Sequence, residues 1–293
     1  MSESVRLPSD MRDPIALADW LELSAIAAAD GNASIGDLQC VLGRFGGDVE
    51  SLCGASATEI QKRRFATVQH YPFKFNGSLL ELRGDSWREF TPYVFCLLLS
   101  YCRPKEKQVR GLHHERMFEH LSCLAARSYI GVDGEAVRFG SPRDTMPKGF
   151  RSALEYLCEH VGEWNCGGAA SASREQDDKL DIVAWRHFPD RAGGKLVIFG
   201  HCASGQDWDD KITELNPANF CSLWLGGVRS PVVTTFFIPH RIPSDQFEKK
   251  AIYAGLFFDR CRLAYWAANG EFLEITEGKS ATWSETLLQR LVA

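Results

Sequence analysis

The stretch from residue 176 to residue 211, QDDKLDIVAWRHFPDRAGGKLVIFGHCASGQDWDDK, decides the fold. Residues 180–186 mix branched apolar side chains with Asp181 and Trp185, and residues 195–202 form an almost unbroken apolar run. A Pro/Asp/Gly-Gly connection separates them. A short apolar run bounded by turn residues suits a strand buried on both faces. The two runs therefore predict adjacent strands, followed by the start of a helix. Asp181 enters the first strand, and the second ends in His201 and Cys202. A carboxylate at a sheet edge has hard oxygen ligands to offer a cation such as Mg²⁺. Alternation puts Lys179 and Asp181 on one face of the strand and Leu180 and Ile182 on the other. Asp181 is then the acid that the strand itself places, while Asp177 and Asp178 read as solvated loop residues.

LDIVAW, a turn and KLVIFGHCASG resemble the core of the PD-(D/E)xK nuclease superfamily, the restriction-endonuclease-like fold, in its branch related to Mrr-type restriction enzymes. That branch carries an Asp-Ile pair on one strand and Gln-Cys-Lys at the end of the next. Asp181 falls on the motif's Asp. His201 stands where Glu or Gln is usual, and Ala203 stands where Lys is usual. The resemblance spans residues 111–260. It implies an α/β fold whose restriction-endonuclease-like core, a central mixed sheet flanked by helices, occupies residues 106–293 behind an α-rich region in residues 1–105. It also implies a metal-dependent DNA endonuclease using Mg²⁺ or Mn²⁺, the effector of a bacterial restriction or anti-phage defence system. A partner defence protein or a second copy of the chain would then help to find the target. Because the usual lysine is missing, the alternative is a catalytically degenerate subunit that binds nucleic acid or scaffolds a defence complex.

The superfamily sometimes moves its lysine to a neighbouring element. Lys211, on the helix that follows, is the first candidate and Lys179 the second, whereas Lys195 sits at the opposite end of its strand. Members of the superfamily also open the core with a helix whose Glu points at the metal. Residues 113–130 fit that helix, with Met117, Phe118, Leu121, Leu124 and Ala125 as its apolar stripe. Glu115 and Glu119 are four apart on one face, and the Phe-Glu pairing favours Glu119. The resemblance thus nominates Asp181, Glu119, Glu115 and His201 as metal ligands, and Asp181, His201, Lys211 and Glu119 as catalytic groups. Imidazole suits Mn²⁺ better than Mg²⁺; His201 is alternatively a general acid or base near neutrality, or simply a hydrogen-bond partner of Asp181.

Composition bounds the rest. The chain has 293 residues, 45% hydrophobic and 24% charged, ordinary for a globular protein. No apolar run reaches the ~18 residues of a membrane span, and MSESVRLPSD lacks a signal-peptide core. The expectation is a cytoplasmic protein whose ten cysteines stay thiols. None forms a CxxC pair, and His113-His114-Glu115 lacks the HExxH spacing, so zinc sites of those kinds are excluded. GxxxxGK[ST] and GxSxG are absent, which excludes a P-loop NTPase and an α/β-hydrolase elbow. Asp30-Gly31-Asn32 lacks the EF-hand spacing. The formal net charge of −5 gives no overall basic surplus for gripping nucleic acid, so DNA contacts would need a partner or a local basic face.

Along the remaining chain, Asp13-Pro14 starts a helix to residue 29, and Ser34 caps a second over 35–45. A third helix is expected over 57–69. Asn76-Gly77 sets a β-hairpin near 71–83, and WREFTPYVFCLLLSYC (87–102) is a helix too apolar for a surface. Residues 135–140 read as the first core strand, and 149–163 as an inserted helix whose Glu155 and Glu159 are back-up acids. GGAASAS (167–173) has loop composition just ahead of the candidate site, where it would suit substrate gating. Residues 207–225 are helical until Asn216-Pro217 breaks the pattern. Then come a strand (232–239), a helix (247–258), a short strand (262–266) and a closing helix (282–291). Trp185, Phe188 and Trp208 read as core before they read as base-stacking platforms. An α/β protein that only assembles with others through its N-terminal helices is a third reading.

Overall fold

The computed structural model describes residues 5–165, 177–227, 230–268 and 274–292. The chain opens as its capping residues dictate. Asp13 accepts from the amides of Ile15 and Ala16 to start α1 (Pro14–Ala27). β1 (Asn32–Ser34) runs straight into α2 (Ile35–Leu42), where Ser34 and Asp37 close a reciprocal capping box. α3 (Val49–Thr67) starts eight residues earlier than expected, because Asp48 accepts from Ser51 N and nothing in the Ser/Ala/Gly run breaks the helix. β2 (Phe73–Phe75) and β3 (Leu79–Leu82) flank Asn76-Gly77, with Gly77 at a φ of 101°. β1 pairs with the other edge of β3, so the hairpin belongs to a three-stranded antiparallel sheet.

α4 (Thr91–Tyr101) is buried over most of its length, as its composition requires. α5 (His114–Ile130), β4 (Gly134–Arg138) and α6 (Phe150–Val161) follow. β5 (Ile182–Arg186) and β6 (Val197–Cys202) pair antiparallel, Ile182 opposite Gly200. After α7 (Trp208–Lys211), Asn216 caps α8 (Pro217–Trp224). β7 (Val232–Phe237), α9 (Ser244–Ala254), β8 (Leu256–Phe258), α10 (Arg260–Ala268) and α11 (Glu274–Val292) complete the order.

The fold is α/β. Its main sheet has the order β4-β5-β6-β7-β8, antiparallel through β6 and parallel from β6 to β8. Alternating residues serve two cores. Ile182, Ala184 and Ile198 face α5 and α10, while Val183, Trp185, Val197 and Phe199 face α6 and α8. That double burial explains the unbroken apolar run in β6. Gly200 is required there, since a Cβ would stand 2.6 Å from Phe237 Cε2.

Several expectations need correction. The helix expected to run to residue 258 stops at Ala254. Gly255 takes a φ of 69° and passes so close to Thr234 O that a Cβ would lie 2.3 Å from it, which lets Leu256–Phe258 join β7 as β8. The strand expected over 262–266 is helix α10. Asp259 Oδ1 accepts from Arg262 N at its start, and Leu263 and Ala267, four apart, share its buried face. Among the described residues eight cysteines are free thiols, but Cys158 is disulfide-bonded. Residues 167–173 lie outside the described residues. No helix among those described is long and apolar enough to cross a membrane.

The larger core runs without interruption from the N-terminal helices to α5, α10 and α11. Trp283 of α11 is fully buried, packs edge-on against Phe95 of α4, and donates from Nε1 to Lys107 O. Beside this apolar contact lies a dry ionic cluster. Arg63 donates to Asp19, Glu22 and Glu59, and Arg260 grips both oxygens of Asp19 at 2.7 and 3.0 Å. Asp19→Ala should therefore strip two buried guanidiniums of their shared partner and cost about 3–5 kcal/mol in urea denaturation. Asp10→Ala, at an exposed position, should cost less than about 0.5 kcal/mol. Equal losses would mean that the cluster adds nothing.

Candidate functional site

Asp181 sits one residue before β5, pinned by its backbone. Its carbonyl accepts from Phe139 N and Gly140 N, and its amide donates to Gly200 O, so it is locked between the end of β4 and β6. Its side chain is locked as well. Oδ2 accepts from Cys202 N at 2.7 Å and from His201 Nδ1 at 2.8 Å. Oδ1 is turned toward Gly140.

Glu119 comes to the same place from the second turn of α5. A Cβ on Gly140 would lie 2.8 Å from Glu119 Oε2 and 3.2 Å from Asp181 Oδ1, so the bare glycine leaves room for both carboxylates to close on this point. Arg138 of β4 donates to Glu119 Oε2 at 2.6 Å, and its guanidinium also reaches Gly140 O and Asp144. Even so, burial, reinforced by the charge of Asp181, pushes the Glu119 carboxyl up to about 7. Two acids share a poorly hydrated spot, and Arg138 only partly offsets them.

A second group lies on the other side of His201. Its Nε2 is buried without a hydrogen-bond partner and faces Glu214 Oε2 at 3.5 Å. Lys179 Nζ stands 3.2 Å from the same Glu214 oxygen. The turn that delivers Lys179 is strained. Asp178 and Lys179 have φ values of 48° and 66°, a conformation costing non-glycine residues about 1–3 kcal/mol each. It is held by Trp224 Nε1 donating to Asp178 Oδ2 and by Ser141 N donating to Asp177 Oδ2. Asp177 and Asp178 are therefore anchors rather than the solvated loop acids expected, and Lys179 belongs to this turn rather than to the strand.

The sequence-nominated residues separate into two sets. Asp181, His201 and Glu119 are brought together. Glu115, one turn before Glu119, is largely exposed and pairs with His114 Nε2 at 3.1 Å. Lys211 Nζ lies 2.9 Å from Asp207 Oδ2 within its own helical turn. Lys195 Nζ is buried at the far end of β6 against Val161 O and Glu163. Ala203 is buried, so no cation stands at the motif's usual lysine position. Trp185 is core, whereas Phe188 is 55% exposed. Arg138 and Glu214 were missed by sequence reasoning. Arg138 left a faint signal, a cation at the end of a strand two residues before a glycine. Glu214 left none, because its neighbours Ile212 and Leu215 dominate the helical pattern.

No family model matches this chain, nor does any curated protein or solved structure. Among the described residues no group of three or more His, Cys, Asp or Glu is arranged to hold a metal ion. The donor set at Gly140 is smaller, two carboxylates. That suits a hard divalent cation of the Mg²⁺ kind, which keeps several waters and takes one or two protein carboxylates. The raised Glu119 carboxyl points the same way, since a cation between the acids would relieve it.

The shift fixes a pH signature. Between its ordinary value of 4.5 and about 7, Glu119 holds a proton in the folded chain and has lost it in the unfolded chain. The folded state then binds more protons, so stability falls as pH rises through this window. Glu119→Gln removes the penalty and keeps an acceptor for Arg138. It should be more stable than the wild type by on the order of 2 kcal/mol at pH 8, and the gap should close toward pH 5. Urea denaturation at both pH values checks this; a gap that ignores pH would mean that Glu119 titrates normally.

Proposed function

We propose that this chain is a metal-dependent phosphodiester hydrolase acting on DNA, with Glu119 and Asp181 holding Mg²⁺ or Mn²⁺. One observation carries the reading, the convergence of these two carboxylates from α5 and the head of β5 on Gly140. A divalent cation held there would supply a Lewis acid for a phosphoryl oxygen and a more acidic water. The chain's own groups have distinct parts. Cys202 N and His201 Nδ1 fix the Asp181 carboxylate. Arg138 orients Glu119. His201 Nε2, which makes no hydrogen bond and faces Glu214 Oε2 at 3.5 Å, is the atom placed to take or give a proton. Lys179, which shares the Glu214 carboxylate with His201, replaces Lys211 as the group to meet developing phosphate charge.

The antiparallel-then-parallel sheet, with α5 against β5, supports a restriction-endonuclease-like core. A role as effector of a bacterial restriction or anti-phage system follows from that reading alone. The net charge of −5 supports a partner protein or a second copy in target recognition. A second reading, a degenerate nuclease-fold subunit that binds or scaffolds, is favoured by Ala203 and by the grip of Arg138 on Glu119, which places a cation where a metal would compete.

Cleavage of plasmid DNA in Mg²⁺ and in Mn²⁺ decides between them. Asp181→Asn, which keeps an acceptor for Cys202 N, should lower the rate by about 10²-fold or more. Lys179→Ala should lower it by at least about tenfold, with Lys211→Ala close to wild type. Mn²⁺ should also raise the melting temperature of the wild type more than that of Glu119→Gln. If the wild type neither cleaves nor responds to Mn²⁺, the degenerate reading replaces the hydrolytic one.

A further inference from the structure

A feature of the N-terminal region takes no part in the site described above. On α3, Gln61, Arg64 and Phe65 share one helix face, and with Val68, the residue that ends the helix, they border a groove of about 910 Å³ whose other wall is Phe75, Asn76 and Gly77 of the hairpin. An adjoining recess adds Lys74, Glu81 and Arg83. Phe65 is 87% exposed and Val68 54%. Val68 holds a φ of 52°, in a region that β-branched residues rarely enter. Lys62 is exposed one turn before Phe65. Arg64 donates to the backbone carbonyl of Phe75, and Arg83 donates to those of Gln69 and Tyr71. Glu81, across the hairpin from Lys74, is the one acid among the described lining residues. In a chain of net charge −5, this is a local cationic surplus around a bare aromatic ring.

We propose that the groove between the end of α3 and the β2–β3 hairpin is a docking surface for single-stranded nucleic acid. Arg64, Lys74 and Arg83, with Lys62 beside them, run along the backbone phosphates, and the exposed face of Phe65 stacks on a base. A cationic track beside an exposed aromatic is the combination that sequence-tolerant single-strand binding uses. A protein interface of ordinary size would need a broader apolar centre than Phe65 and Val68 provide. The proposal does not rest on the hydrolytic reading of the Asp181 site.

The test is fluorescence polarisation of a labelled oligothymidylate of about 20 nucleotides, long enough to span such a groove. It uses the full chain in EDTA, so that cleavage cannot enter. Phe65→Ala should weaken binding by about tenfold with an unchanged melting temperature, since the ring is exposed. Lys62→Gln and Lys74→Gln should each flatten the slope of log K against log salt by about 0.7. Arg151→Gln, at an exposed position of α6 where Arg151 pairs with Glu155, should change nothing. No binding by the wild type would overturn the proposal, as would equal affinity of Phe65→Ala and wild type. Tighter binding of a Glu-rich peptide than of the oligonucleotide, lost in the same variants, would overturn it in favour of an acidic protein partner. None of these failures would touch cleavage at Asp181, which is read separately in the presence of metal.

Discussion

Arg63 and Arg260, both without solvent exposure, meet at the Asp19 carboxylate, and this contact ties the first helix of the chain to the start of α10, just beyond the last strand of the main sheet. α1 supplies Asp19 and Glu22, α3 supplies Glu59 and Arg63, the turn after β7 supplies Arg241, and α10 begins with Arg260. Asp259, which pairs with Arg241, makes four carboxylates against three guanidiniums. Burial pushes Glu22 upward despite its arginine neighbours, and the hydroxyls of Tyr71 and Tyr93 both donate to it. Removing such ions from water costs several kcal/mol apiece, so the cluster adds little net stability compared with an apolar core of the same volume. Its effect is on register: any shift of α1 against α10 leaves an arginine dry and unpaired.

That constraint reaches the candidate site through α5 and α10. The start of α10 is held by Arg260, and α10 packs along α5 in the same apolar core. Glu119 rides on α5, so its position over Gly140 depends on a helix whose outer side is packed by the N-terminal and C-terminal elements alike. The link at residues 103–107 therefore marks no gap in the packing: Trp283 closes over it from the far end of the chain.

What could be read from the sequence was what local chemistry settles. Asp13, Ser34 and Asn76-Gly77 announce caps and a turn through their own side chains, and the β5–β6 pair shows in its apolar run. The errors came where distant contacts decide. Residues 256–258 continue a helical pattern, yet Gly255 and the open edge of β7 claim them for the sheet. Arg262 and Tyr265 break the apolar spacing of α10, whose helicity depends on what Leu263 and Ala267 touch. At the site, the spacing of Glu115 and Glu119 placed both on one face, but a helix lying across a sheet edge offers only one turn to a given point. Arg138 and Glu214 were invisible for the same reason, because their roles come from residues 19 and 13 positions away.

The site also sits where the topology concentrates free backbone ends. The carboxyl ends of β6, β7 and β8 lie along one edge of the sheet, and the antiparallel β5 begins at that edge. Asp181, immediately before β5, and His201, near the end of β6, therefore meet without any long loop to bring them together. In a parallel sheet the carboxyl edge is where a ligand finds room, since loops there splay apart. Here the mixed sheet adds an acid from the start of a strand to groups from the end of its neighbour. The strained turn at Asp178 and Lys179 is the consequence. The chain must reverse within a few residues to enter β5 at the register that Gly200 O and Phe139 N impose on Asp181, and the two left-handed residues absorb that reversal. Trp224 and Ser141 hold the turn from either side, so the strain fixes Lys179 beside Glu214 instead of relaxing into solvent.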